Sequence, residues 1–182
     1  MTASSIGRKK FQSTNRSDGQ CISTYEGSEI DNYLENEWYN GLSSTMKIAI
    51  QQTNIKQTDY SFDTSSDKVN FKKQETGPKG QIYNSISRHV FLPSVSELEK
   101  LVDLKNKDEA KAFYNKNGDG MTRDSDYIWS IMSWGYSWSQ DDGSYYGWML
   151  NNFTEYSYNT YPAFVIDLSK VDYTEVGHVD YK

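Results

Sequence analysis

The stretch YEGSEIDNYLENEWYNGLSSTMKIAIQQTNIK, residues 25–56, decides how the rest of the chain is read. Ser28 stands where a helix N-cap is needed, with Asp31 three residues on, so a helix is predicted over about 28–40. Ile30, Leu34 and Trp38 recur at i+4 and set one apolar stripe, which Tyr33 widens. Gly41 stops that helix. Ser43 or Ser44 opens a second over about 43–51, with Met46, Ala49 and Ile50 turned inward. A strand is predicted next, over about 52–60. Two short helices with one apolar face each need a further layer to pack on.

Downstream, the stretch 61–84 is polar, holds Gly77, Pro78 and Gly80, and reads as a long loop. ISRHVFL (86–92) reads as a strand with Ile86, Val90 and Leu92 on one side, stopped by Pro93. Ser94 and Glu97 form an S-x-x-E pattern that opens a helix over about 95–104, with Val95, Leu98, Leu101 and Val102 as its apolar face. YIWSIMSW (127–134) reads as a strand, Asp142-Gly143 as a hairpin turn and GWMLNNF (147–153) as the returning strand. PAFVIDL (162–168) is apolar enough to predict a central strand. Helices and strands do not alternate regularly, so the predicted class is α+β with a mainly antiparallel sheet. Residues 1–24 are polar and irregular. They read as an N-terminal arm, or the incomplete start of a domain that runs over 25–182.

Hydrophobic residues make up 36% of the chain, and 15 Tyr, 7 Phe and 5 Trp supply much of that share, so the interior must be built around rings. The net charge of −6 argues against nonspecific nucleic-acid binding, which needs clustered Lys and Arg. Arg8-Lys9-Lys10, the one basic cluster, reads as part of a solvated arm. No apolar run approaches the roughly 18–20 residues of a membrane span, so membrane insertion is not expected. Cys21 is the single cysteine, which leaves no intramolecular disulfide and no cysteine metal site.

Catalysis finds little support. His89 and His178 have no visible nucleophile and orienting partner of the kind acyl transfer needs. For metals, Asn115, Asn117, Asp119, Gly120 and Asp126 fall on positions 1, 3, 5, 6 and 12 of a calcium-loop template, which makes Ca²⁺ the one cofactor the sequence raises. The alternative is an ordinary N-G-D-G turn. Binding has the strongest case. Between 134 and 161, rings alternate with Ser, Asn, Asp and Gly, the composition of adaptable recognition surfaces. The ligand-binding candidates are Trp138, Asp141, Asp142, Tyr145, Tyr146, Asn151, Asn152, Tyr156 and Tyr158; Trp129, Trp134 and Trp148 read as core.

Three segments carry a family resemblance: Ser28, Ile30, Tyr33, Leu34, Trp38, Tyr39, Asn40, Ile50, Thr53 and Ile55 in the first, VFLPSVSELEKL (90–101) in the second, and YPAFVIDL (161–168) in the third. Together they resemble a bacterial domain-of-unknown-function family with a C-type-lectin-like fold. Tyr161 stands where that pattern has Arg, and YIWSIMSW is the only counterpart of its tryptophan-rich block. The resemblance implies helices on a twisted, mainly antiparallel sheet, with long C-terminal loops forming a ligand face. With the aromatic, polar stretch 134–161, the reading is a noncatalytic binding or adhesion module of a bacterial surface or secreted protein, with a glycan or protein as partner. The alternative is a structural spacer. Residues 1–20 show no signal-peptide apolar region, so a secreted protein is expected to be longer than this chain.

Overall fold

Ser28 caps the first helix: its hydroxyl accepts the Asp31 N–H at 3.2 Å, satisfying one orphan donor of the first turn. Helix α1 (Glu29–Asn32) passes directly into a π-helical segment, Tyr33–Trp38, where the Tyr39 N–H reaches back to the Leu34 carbonyl at 3.0 Å. Ile30 and Leu34 are buried, and Trp38 packs beside them with its ring stacked on Phe164. The i+4 stripe thus faces the core as the sequence predicts. The computed structural model that gives these positions describes residues 1–13, 24–63, 70–74, 83–103, 107–124, 127–133, 144–150 and 157–172.

Helix α2 (Ser44–Ala49) is capped by Ser43 and runs into β2 (Ile50–Gln51), with Ala49 and Ile50 buried. Strand β1 (Arg8–Lys10) lies earlier in the chain. After β2 come β3 (Thr53–Lys56), β4 (Asp59–Asp63), β5 (Asn70–Gln74) and β6 (Ser85–Arg88). β3 pairs antiparallel with β6, and β4 with β5, in a register that sets Phe62 opposite Phe71. The polar stretch after 61 is therefore not all loop: cross-strand pairing overrides its low hydrophobicity.

Helix α3 (Val95–Leu98) carries a complete capping box, with Ser94 Oγ accepting the Glu97 N–H at 3.1 Å and Glu97 Oε2 accepting the Ser94 N–H at 2.9 Å. It is shorter than the sequence predicts. The Leu101 N–H bonds the Leu98 carbonyl at 2.9 Å, so the chain turns tightly there and Leu101 is left 54% exposed. Helix α4 (Lys107–Asn117) occupies a charged stretch where the sequence signals no element. Gly118, at φ 73°, ends it in the left-handed region. Its missing side chain matters too, because a Cβ would sit 2.9 Å from Asn159 Nδ2.

The C-terminal part is built of β7 (Gly120–Met121), β8 (Tyr127–Ser133), β9 (Ser144–Leu150), β10 (Ser157–Asn159) and β11 (Val165–Ile166). β7, β8 and β9 form an antiparallel sheet in that order, β1 pairs with β10, and β2 with β11. The described pairings are antiparallel and the sheets small, so the fold is α+β. PAFVIDL is not a central strand. Ala163 bridges to Phe91, its N–H to the Phe91 carbonyl at 2.7 Å, and the chain then changes partner to β2. Val165 and Ile166 end up 40% and 36% exposed. Residues 2–10 run alongside the 157–162 segment, and Phe11 reaches the core.

Candidate functional site

The end of α4, the start of β7 and the β1–β10 ribbon meet at one point. Asp119 accepts from Arg8 Nη1 at 3.0 Å, from Arg8 Nη2 at 3.1 Å and from Asn159 Nδ2 at 2.8 Å. The Tyr161 hydroxyl donates to the Asn117 carbonyl, which ties the end of the β10 segment to α4. Of the predicted metal residues, Asn115 and Asn117 are helical, and the Asn117 amide donates to the Phe113 carbonyl at 2.8 Å. Asp126 lies outside the described residues. A helix over the first three template positions is not the open loop of a calcium site, and Asp119 spends its oxygens on a guanidinium and an amide. Among the described residues there is no group of three or more His, Cys, Asp or Glu placed to hold a metal ion.

The segment that follows, Thr122–Asp124, is buried and charged. Arg123 pairs with Glu97 through both terminal nitrogens at 2.7 Å. It also donates to the Leu92 carbonyl at 2.8 Å and the Lys56 carbonyl at 3.1 Å. Burial would raise the Glu97 carboxyl, but Arg123 and Ser94 outweigh it and hold that carboxyl below the usual range. Asp124 accepts the Val95 N–H at 2.7 Å and the Thr58 N–H at 3.0 Å. Burial lifts its carboxyl to about 7 against the pull of Arg123 and those two donors. Together Arg123 and Asp124 bolt β7 to α3 and to the end of β3, and β8 grows from that fixed point. No motif in the sequence singles out Arg123 or Asp124; here they are structural.

Strands β8 and β9 pair over seven positions, with Trp129 opposite Trp148, Ile131 opposite Tyr146 and Met132 opposite Tyr145. The connection 134–143, with Trp138, Asp141 and Asp142, leaves from the Ser133–Ser144 end. The connection 151–156, with Asn151, Asn152 and Tyr156, leaves from the Tyr127–Leu150 end. Six residue steps separate those ends, about 20 Å. Of the nine predicted ligand residues, Tyr145 and Tyr146 lie in β9 toward its Ser144 end. Trp134, Trp138, Asp141, Asp142, Asn151, Asn152 and Tyr156 themselves lie outside the described residues. Tyr158 is described: it sits in β10 opposite Lys9 and packs half-buried against the core.

His89 is the one described side chain with the look of a catalytic base. Its Nδ1 lies 2.7 Å from Glu35 Oε1, and its ring stacks on Tyr39 at 4.4 Å. A carboxylate only accepts, so Nδ1 carries the hydrogen. Glu35 Oε2 meanwhile accepts the His89 and Val90 N–H groups at 2.9 and 3.2 Å. The pair thus holds the end of β6 to the π-helical segment. Among the described residues no Ser, Thr or Cys bonds the ring. His178 and Cys21 lie outside them.

Arg8, Lys9 and Lys10, which the sequence reads as part of a solvated arm, form a strand. The polar alternation of three residues gives no strand signal, and their partner stands some 150 positions away in the chain. Comparison with family patterns matches residues 6–168 to a domain of unknown function, DUF6273, and the chain belongs to that family. The match takes in all three segments of the resemblance. No curated protein and no solved structure matches the chain.

Proposed function

We propose, with membership of a family of unknown function as the premise, that this is a noncatalytic recognition domain on a C-type-lectin-like scaffold. It belongs on a bacterial surface or in a secreted protein, and it takes a glycan or a protein ligand at the distal end of the β8–β9 hairpin. The observation that carries this reading is the hairpin itself. Its register pairs β8 and β9 as a seven-residue stem, joined by a sequence rich in Trp, Tyr, Asp, Ser and Gly, and the buried Arg123–Glu97 and Asp124 contacts fix the chain just ahead of β8. Rigid rings and short polar groups on a fixed stem give contact area at low entropic cost. Flat rings beside Asp and Asn also suit sugars.

A glycan array probed with the purified chain, with added Ca²⁺ and then with chelator, tests the proposal. Binding that disappears in Trp138→Ala or Tyr146→Ala, with unchanged melting, supports it. A silent array with an equally silent panel of surface proteins favours the spacer reading.

A further inference from the structure

The outer edge of β1 meets no described strand. β10 takes the other side, and a cleft of about 530 Å³ opens between this ribbon and α1 with the π-helical segment. Arg8, Lys9, Lys10 and Ser157 line it from the ribbon, and Glu29, Asn32, Tyr33 and Glu37 from the helices. In an antiparallel ribbon, alternate residues turn their N–H and C=O groups away from the partner strand, so such an edge is a template for one more strand.

We propose that this edge binds an extended acidic peptide segment, added to β10–β1 as a third strand. The site is separate from the hairpin tip and does not depend on it. Charge complementarity names the occupant. The chain carries a net charge of −6, yet Arg8-Lys9-Lys10, its only run of three basic residues, lies along this edge. Arg8 stays 53% exposed despite its pair with Asp119, and Lys10 is exposed with no ion pair among the described residues. The Lys9 ammonium lies 3.9 Å from the Tyr33 ring centroid, which holds its charge at the cleft. A second copy pairing through its own β1 would set like charges face to face, which is unfavourable. Glu29 and Glu37 on the helical wall narrow the guest further. Successive strand residues point to opposite sides, so a guest alternating acidic with neutral polar residues offers carboxylates to the lysines and hydroxyls to Glu37.

The test titrates the full chain with a capped synthetic peptide of alternating glutamate and threonine, and with its lysine–threonine counterpart, followed by amide-resolved NMR. The acidic peptide is expected to bind, to shift the amides of Arg8–Lys10 and of Ser157–Asn159, and to weaken as salt rises. Lys9→Glu/Lys10→Glu should lower affinity about tenfold or more, and the milder Lys9→Gln/Lys10→Gln serves if the reversal unfolds the chain. Trp138→Ala should leave this binding unchanged, which separates the edge from the hairpin tip. Equal binding of both peptides, shifts centred elsewhere, or no binding at millimolar peptide would overturn the proposal.

Discussion

Replacing Arg123 by Met removes the guanidinium that joins α3, β3 and β7 while keeping the volume of its stem. The loss can be worked from the contacts. Arg123 is buried, and its four side-chain bonds go to Glu97 twice and to the Leu92 and Lys56 carbonyls. Glu97 is 39% exposed on its side chain, so water takes back much of its charge once the partner is gone. The two carbonyls lose a charged donor each, at about 1.5 kcal/mol apiece. The sum, about 3 kcal/mol, sits at the low end of what breaking a buried pair costs. With a urea slope of about 2 kcal/mol/M, the unfolding midpoint should fall by about 1.5 M. Arg123→Lys keeps the charge without the fork and should fall in between. Equilibrium urea unfolding by circular dichroism measures both. A Met variant within about 0.5 kcal/mol of the wild type would refute the role given to this residue.

Asp31 is fully buried and takes Arg88 at 2.8 and 2.7 Å along with the Gly27 N–H, so Asp31→Ala should cost about 3–5 kcal/mol in the same assay. For Asp124, the folded carboxyl is raised from 3.8 to about 7, so its stabilisation is complete below the unfolded value and is lost as pH rises through about 7. Asp124→Asn should therefore flatten the fall in melting temperature over that interval, and an unchanged slope would count against the assignment. Glu97 acts with the opposite sign, losing its contribution as pH falls, and stays intact in that variant. Because Arg8 and Asn159 occupy Asp119, neither Ca²⁺ nor chelator should move the melting temperature measured by calorimetry, and a Ca²⁺-dependent rise of several degrees would restore the 115–126 loop as a metal site.

Local signals were legible in the sequence. Ser28, Ser43 and the Ser94–Glu97 box act as caps where their positions say they should, because capping depends on neighbours three residues away. The Ile30–Leu34 stripe and the β8–β9 pairing are likewise short-range patterns. Long-range decisions were not legible. Strand β1 pairs with residues near 158, β4–β5 forms from polar residues, and α4 carries no sustained apolar stripe. Arg123 and Asp124 look like solvated loop residues until three elements close over them, since burial is set by the whole fold rather than by neighbours in sequence.

Recognition at the hairpin tip requires the tip's rings to face solvent, and that can be measured before any ligand is known. Acrylamide quenching of tryptophan fluorescence in the wild type, beside Trp138→Phe, isolates the contribution of Trp138 by difference. A component quenched nearly as freely as a tryptophan in an unfolded peptide is expected, lost in the variant while its melting temperature holds. A Trp138 component as protected as the core would contradict the account and leave the hairpin as packing rather than a binding face.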